Sequence, residues 1–247
     1  MFKPKTDRIK QIASKFPRKI EELEKIFSQA TNIYIDYANV RPWANKLKWH
    51  VDLKRLKQLF ESFDTIGTVK IYNGTLTGDK YSEDFNHNLN RLGYELKTKP
   101  VKIMRKYIDI SSIPMNSSVI LENFVRKPLL QKLKIETIEY LNLRLQELNK
   151  QKILYLEDKK CNFDVEIGRD LLIDCDKNNI KTFILWSGDS DFADPIEQLL
   201  KDGKKVYLFA TAKRIATELN DLREKGLLIY DIQKIKEFIC WRKEIIF

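Results

Sequence analysis

The sequence predicts an α/β protein built on a mostly parallel sheet. Segments with strand character alternate along the chain with segments of helical periodicity, which is the pattern of β-α-β units. The runs Phe183–Trp186 and Val206–Phe209 are apolar or aromatic throughout, as expected for strands covered by helices on both faces. The eight glycines form no G-x-G-x-x-G or Walker sequence, which disfavours the nucleotide-binding folds that depend on such loops.

The N-terminal residues predict a helical extension. Apolar residues recur at helical spacing across residues 7–29, and Pro17 divides this segment into two helices. We therefore expect residues 1–30 to form an N-terminal helical extension and residues 31–247 to form the main domain.

In the first part of the main domain, we expect Asp52 to cap one helix and Gly93 to end another that starts at Ser82. After Pro100, the segment Val101–Met104 either continues the third strand or leaves it. Three strands are predicted here: Asn32–Ile35, Thr68–Tyr72 and Tyr94–Lys97.

Residues of about 105–158 are predicted to be a helical insertion. Pro128 is expected to start a long helix that reaches Asn149, and Val119–Val125 is either a strand or a turn-bearing loop. The insertion is a candidate lid or a surface for homo-oligomer formation.

The regular alternation of strands and helices returns after the insertion, with three strands: Thr182–Trp186, Val206–Phe209 and Leu227–Tyr230. The helices predicted there are Val165–Cys175, Pro195–Lys201, Ile215–Arg223 and Ile232–Phe247.

Composition narrows the class of partner. The chain has 45 Lys and Arg against 35 Asp and Glu, a net charge of +10, which suits a polyanion such as nucleic acid. The same excess also arises from compositional bias. Three cysteines without a C-x-x-C pair and two histidines argue against a zinc site or a disulfide framework. With no signal-peptide core and no membrane-spanning run, a cytoplasmic protein is expected.

The segment from Trp186 to Pro195 carries three aspartates directly after a predicted buried strand. Asp194 precedes Pro195 and lies three residues before Glu197, so it is predicted to cap a helix. That assignment leaves Asp189 and Asp191 for another role. The carboxyl end of a parallel strand is where open α/β sheets bind ligands, although a polar turn would look the same.

Two further acids follow the same logic. Asp36 ends the first strand, and Asn39 either holds its loop or contacts substrate. Asp164 starts a helix, where it is a cap or a ligand, and Gly168 one turn later is expected to leave open space beside it. The aromatic residues after Asp36 either stack on a base or pack under the loop; they are Tyr37, Trp43 and Trp49.

Carboxylates that converge in one crevice repel each other unless a cation neutralises them. Oxygen ligands without His or Cys select Mg²⁺ or Mn²⁺, which can activate water for attack at phosphorus. Lys159 and Lys160 precede Asp164 and either hold a phosphate or are solvated.

The order D-x-x-N after the first strand, K-x-x-x-x-D-V at a helix start and S-G-D-S-D-F after a later strand resembles the NYN domain of the PIN-like ribonuclease superfamily, over about residues 32–104 and 159–231. The resemblance implies a doubly wound, Rossmann-like three-layer fold in which the first strand neighbours Thr182–Trp186. It also implies catalytic metal ligands at Asp36, Asp164, Asp189 and Asp191. The substrate-binding residues expected with them are Asn39, Lys159, Lys160, Ser187 and Ser190.

Two departures from the family pattern stand out. Tyr37 replaces the usual glycine after the first acid, and the segment Lys160–Asp164 is one residue longer than the family's lysine-to-acid spacing. The predicted function is a Mg²⁺- or Mn²⁺-dependent endonuclease that hydrolyses RNA, with DNA left open as a substrate. The alternatives are a metal-dependent phosphatase or nucleotidase and a catalytically lapsed RNA-binding module.

Overall fold

A computed structural model describes residues 1–177, 179–211 and 215–244 and divides the chain into two compact units. Unit 1 comprises Met1–Pro100 and Cys161–Phe247, and unit 2 comprises Val101–Lys160. Every helix in the described ranges is too short or too polar to cross a membrane. The helices of unit 1 are α1 (Asp7–Lys15), α2 (Pro17–Ile26), α3 (Tyr37–Val40), α4 (Ala44–Leu47), α5 (Leu53–Phe60), α6 (Lys80–Arg91), α9 (Asp164–Lys177), α10 (Ala193–Lys201), α11 (Thr217–Asp221) and α12 (Lys236–Ile239). Unit 2 has α7 (Lys127–Leu130) and α8 (Ile135–Lys150).

Within the described residues, unit 1 has six strands: β1 (Thr31–Asp36), β2 (Ile66–Thr75), β3 (Glu95–Pro100), β6 (Thr182–Trp186), β7 (Lys205–Ala210) and β8 (Leu228–Asp231). They form one parallel sheet in the order β3-β2-β1-β6-β7-β8. The chain adds strands outward from β1 on one side and later outward from β6 on the other, so the topological switch lies between β1 and β6. The predicted doubly wound α/β fold, with the first strand next to Thr182–Trp186, is confirmed.

The core of unit 1 is centred on β1 and β6, whose residues are buried at every position. The two N-terminal helices pack onto this same core through residues such as Ile12 and Leu23. The break between them at Pro17 is as predicted. Asp52 caps α5 by accepting a hydrogen bond from the Arg55 backbone N–H, also as predicted.

Unit 2 differs from the sequence prediction. Strand β4 (Lys102–Tyr107) pairs antiparallel with β5 (Tyr155–Lys160), so Val101–Met104 does not continue the third strand of the main sheet. The long helix predicted from Pro128 is two helices, because Lys134 is extended, with ψ of 151°. Leu121, Leu130 and Ile138 form a small separate core.

The last helix is also shorter than predicted. Asp231 caps a 3₁₀ turn at Ile232–Ile235, α12 follows, and extended Cys240 ends it. Residues 245–247 of the predicted helix lie outside the described residues. The helix predicted to begin at Ile215 begins at Thr217, because Ala216 is extended.

Candidate active site

Asp36 and Ser187 lie side by side at the carboxyl ends of β1 and β6. The register pairs Ile35 with Trp186, so the next residue of each strand reaches the same level of the sheet. The Ser187 hydroxyl donates to Asp36 Oδ2 at 3.2 Å, and the Asn39 backbone N–H donates to Asp36 Oδ1 at 3.3 Å. Asp36 is buried, and these two donors fix the orientation of its carboxylate.

The pKa of Asp36 is raised to about 6. Burial is the main cause, because it disfavours the charged form. The hydrogen bonds from Asn39 and Ser187 oppose this effect, and the charge of Asp189 adds to it. The carboxylates of Asp36 and Asp189 are thus close enough for their charges to interact.

Ser187 also positions the loop that carries Asp189. Its oxygen accepts a hydrogen bond from the Asp189 backbone N–H at 3.3 Å, and the side chain is fully buried. Both contacts are internal and hold Asp36 and the Asp189 loop together, and the substrate contact expected of Ser187 stays a prediction.

The helix cap in this loop is Asp189, and the assignment of that role to Asp194 is wrong. Asp189 Oδ1 accepts from the Asp191 backbone N–H at 3.3 Å and starts the 3₁₀ turn Ser190–Phe192. Helix α10 then begins at Ala193, so Asp194 lies inside its first turn and makes no cap hydrogen bond. Asp189 therefore both caps this turn and lies near Asp36.

Asp164 is the first residue of α9, and its carboxylate lies within hydrogen-bonding reach of Asp191. Its pKa is raised to about 6, mainly by burial and further by Asp191 and Asp189, and the hydrogen bond with Asn162 opposes this rise. Three of the predicted acids thus influence one another directly.

Gly168 does not leave open space beside Asp164, contrary to the prediction. A Cβ built on Gly168 would lie 3.6 Å from Pro195 Cγ. The space beside Gly168 is thus bounded by the first turn of α10, and α10 follows directly on the turn that contains Asp191. The close approach of the two helices explains how Asp164 comes to face Asp191.

The four carboxylates form a linked series from Asp36 through Asp189 and Asp191 to Asp164, and they are not a finished ligand shell. Among the described residues, no three His, Cys, Asp or Glu side chains are close enough together to hold one metal ion. Mg²⁺ nevertheless takes as few as one or two carboxylates and completes its shell with water. The all-oxygen donors and the crowded Asp164–Asp191 pair fit such an ion.

An open cleft of about 500 Å³ lies beside Asp189. Two predicted substrate-binding residues, Asn39 and Ser190, line it. Trp43 lines it as well, although its side chain is almost fully buried. The other lining residues are Ala38, Pro42, Gly188, Ile215 and Ala216.

The aromatic residues after Asp36 serve mainly for packing. Trp49 is buried, and the Tyr37 ring stacks on Phe85 with centroids 5.2 Å apart. Tyr37 in the family's glycine position leaves both hydrogen bonds of Asp36 in place.

Lys159 and Lys160 belong to unit 2. They lie on β5, opposite Ile103 and Lys102, and both side chains are exposed. Their predicted contact with substrate phosphates stays a prediction.

A buried polar network under α9 was missed by the sequence interpretation. Lys70 Nζ donates to Asp174 Oδ2 at 2.8 Å, and the same oxygen accepts hydrogen bonds from Tyr34 and Asn32. Asp170, which accepts from the Tyr72 hydroxyl at 2.9 Å, extends this network. The pattern that predicts it is the alternation of polar side chains along β1 and β2, which places them on one face of each strand.

Residues 107–225 match the NYN domain family. This match confirms the resemblance indicated by the motifs. It includes Asp164, Asp189 and Asp191 and most of unit 2, whereas residues 32–104 lie outside it. NYN domains are nuclease-like members of the PIN-like ribonuclease superfamily, so the match supports a nuclease-type hydrolase.

A search of curated proteins gives no significant match. Among solved structures, a protein of unknown function from Vibrio parahaemolyticus is similar, with a TM-score of 0.50 and 17% identity. The similarity covers 85% of this chain and 94% of that one. At this identity the likeness concerns the fold alone, and it agrees with the α/β architecture.

Proposed function

We propose that this protein is a Mg²⁺- or Mn²⁺-dependent ribonuclease that cuts RNA internally. The observation that carries the proposal is the linkage of four aspartates at the switch point between β1 and β6, in a chain whose residues 107–225 match the NYN domain family. The match includes three of these acids. Asp36 joins them through its coupling to Asp189 and through their shared contact, Ser187.

Each residue has a distinct task in this proposal. Asp164 and Asp191 are the pair that would hold the ion, with Asp36 and Asp189 completing the acidic side of the site. A divalent ion bound there supplies Lewis acidity and a water of lowered pKa. Ser187 and the Asn39 backbone hold the Asp36 carboxylate in one orientation. Asp189 fixes the turn that presents Asp191.

A polymer is the substrate that the charge distribution favours. The net charge is +10, and nucleic-acid binding depends strongly on cationic contacts with phosphates. In unit 2, Lys102 lies opposite Lys160 on neighbouring strands, and like charges in that arrangement are destabilising without an anion. Neither lysine makes an ion pair within the described residues. Lys159 and Lys160 are therefore proposed to contact the RNA backbone.

The experiment compares cleavage of an end-labelled RNA by the parent and by Asp189→Asn in Mn²⁺. We expect the variant to lose at least about 100-fold in kcat/KM, a typical effect of removing a key electrostatic group. Asp194→Asn is the matched control, because it changes an exposed aspartate in the same segment that makes no cap bond. Equal rates for the parent and Asp189→Asn would contradict the proposal.

A phosphatase or nucleotidase is the second candidate, because a cleft of about 500 Å³ is large enough for a small phosphate ester. Turnover of nitrophenyl phosphate or mononucleotides is measured beside that of RNA. Faster use of the small ester would reverse the ranking.

A further inference from the structure

The cleft beside Asp189 has the chemistry of a site for a neutral, partly apolar group. Its described lining residues include no Lys or Arg, and Asp189 is the one acidic residue among them. A phosphate placed there would face this carboxylate, and no lining residue in the described part of the chain supplies a positive charge. The hydrocarbon groups of Ala38, Pro42 and Ile215 instead offer an apolar surface.

The walls of the cleft are held in place by hydrogen bonds. The Ala216 backbone N–H donates to the Gly188 carbonyl at 3.2 Å, which ties the loop after β6 to the start of α11. On the opposite wall, the Asn39 backbone N–H is fixed by Asp36. These bonds hold the cleft open in the shape described, which lowers the entropy cost of ligand binding.

The Asn39 side chain is available for a ligand. Within the described part of the chain its amide makes no hydrogen bond, and the residue is half-buried at the edge of the cleft. A carboxamide carries a donor and an acceptor side by side, the arrangement that pairs with the edge of a nucleobase.

We propose that this cleft binds one unstacked nucleobase of the RNA strand, next to the phosphate that is cut, and that Asn39 reads the edge of this base. The inference rests on the proposed function and adds a source of base preference to it. A single-stranded base combines an apolar face with a hydrogen-bonding edge, and proteins recognise unpaired bases through both features. The cleft volume lies in the range of small-ligand pockets, roughly 300–1,000 Å³.

The first test measures kcat/KM for four RNA oligonucleotides that differ only in the base at the cleavage site. The parent is expected to prefer one base by about tenfold or more, as one good amide–base pair provides. Asn39→Ala should bring the four values to within about twofold of one another. Asn88→Ala, an exposed asparagine on α6, is the control and should keep the parental ratio. Ratios that Asn39→Ala leaves unchanged would overturn the inference.

The second test separates this inference from the proposed function. Binding of AMP, CMP, GMP and UMP is measured by ligand-observed NMR in EDTA, where no metal-dependent hydrolysis occurs. Ala38→Trp fills the cleft from an exposed position and should reduce binding of the preferred nucleotide at least about tenfold, which is the value of one lost base contact. Binding with this loss but without RNA cleavage would support the cleft and contradict the nuclease. Equal binding by the parent and Ala38→Trp would overturn the cleft assignment, whatever the cleavage result.

Discussion

Replacement of Lys70 by Met tests how α9 is held on the sheet. Lys70 lies on β2 with only 8% of its side chain exposed, and its Nζ is 2.8 Å from Asp174 Oδ2 and 4.0 Å from Asp170 Oδ2. Both carboxylates belong to α9, the helix that begins at Asp164. Lys70 is therefore the cation paired with buried Asp174, whereas Asp170 also pairs with Arg169, whose Nη2 lies 3.1 Å from Asp170 Oδ1.

The expected loss follows from the contacts that remain. Removal of one partner of a buried ion pair costs about 3–5 kcal/mol, because the other charge stays buried. Tyr34 and Asn32 would still donate to Asp174, so we expect the lower end of this range, about 3 kcal/mol. For a chain of this size that corresponds to a decrease in Tm of about 6–12 °C.

Urea unfolding at pH 7, followed by tryptophan fluorescence, measures the loss. Lys3→Met is the matched control, because its partner Asp64 is exposed and Lys3 itself is 64% exposed; such surface pairs contribute at most about 1 kcal/mol. In the double variant Lys70→Met, Asp174→Asn, the cost should be smaller than the sum of the single costs, because removal of the lysine then leaves no buried charge at position 174. A Lys70→Met variant within about 1 kcal/mol of the parent would refute this account of the network.

Three further predictions concern other parts of the molecule. Asp36→Asn should raise the free energy of unfolding of the metal-free protein by about 2–3 kcal/mol at pH 8, because burial raises the pKa of this carboxyl to about 6. The free-energy cost of ionising this buried carboxyl is present above pH 6 and absent below its usual pKa near 4. Urea unfolding at pH 4 should therefore show no gain in stability, and a gain of equal size at pH 4 would contradict the reasoning. Gly168→Ala should be tolerated and Gly168→Leu should destabilise, because the space toward Pro195 admits only a Cβ; thermal unfolding of both variants checks this, and an unchanged Tm for the leucine variant would count against it. Asn142→Ala should raise hydrogen exchange in residues 111–125, because its buried amide donates to the carbonyls of Met115 and Ser117 at 2.6 and 2.8 Å; unchanged exchange there would show that these bonds do not hold the segment.

The acid end of the pH range gives an independent check on the same network. Burial raises the pKa of Asp174, but the hydrogen bonds from Lys70 and Tyr34 outweigh it and hold this pKa below its usual range. A lowered pKa contributes stability above the unfolded value, near 4, that is lost as the pH falls through the folded value. The difference in stability between the parent and Asp174→Asn should therefore be complete at pH 6 and shrink below pH 4. A difference that stays constant as the pH is lowered from 6 to well below 4 would contradict this assignment.

Much of the main sheet could be predicted from the sequence because its strands carry local patterns. Phe183–Trp186 is apolar throughout, and the predicted strand Thr182–Trp186 has these bounds in the structure. Unit 2 carries no such pattern. Its β4 and β5 pair across more than 50 residues, from Lys102 to Lys160, and nearly every side chain on them is exposed. Without a buried face, periodicity gives no indication of a strand.

The candidate site could likewise be predicted only in part: the sequence indicated its aspartates but not the role of each one. Aspartates at the ends of apolar strands indicated the acidic cluster, because the carboxyl ends of parallel strands share one edge of the sheet. The roles within the cluster depended on where helices begin, and a difference of five residues moved the cap from Asp194 to Asp189. The network of Lys70 and Asp174 joins residues 104 positions apart, so only the folded chain reveals it.

Anomalous diffraction from crystals of the parent protein soaked in Mn²⁺ at pH 8 tests the central claim most directly. At this pH both Asp36 and Asp164 are ionised, since their pKa values are about 6. We expect an anomalous peak within about 2.0–2.3 Å of carboxylate oxygens from Asp164 and Asp191, with water completing the shell. Crystals that show no Mn²⁺ at these four aspartates, or show it only elsewhere on the chain, would contradict the claim that they form a metal-dependent nuclease site.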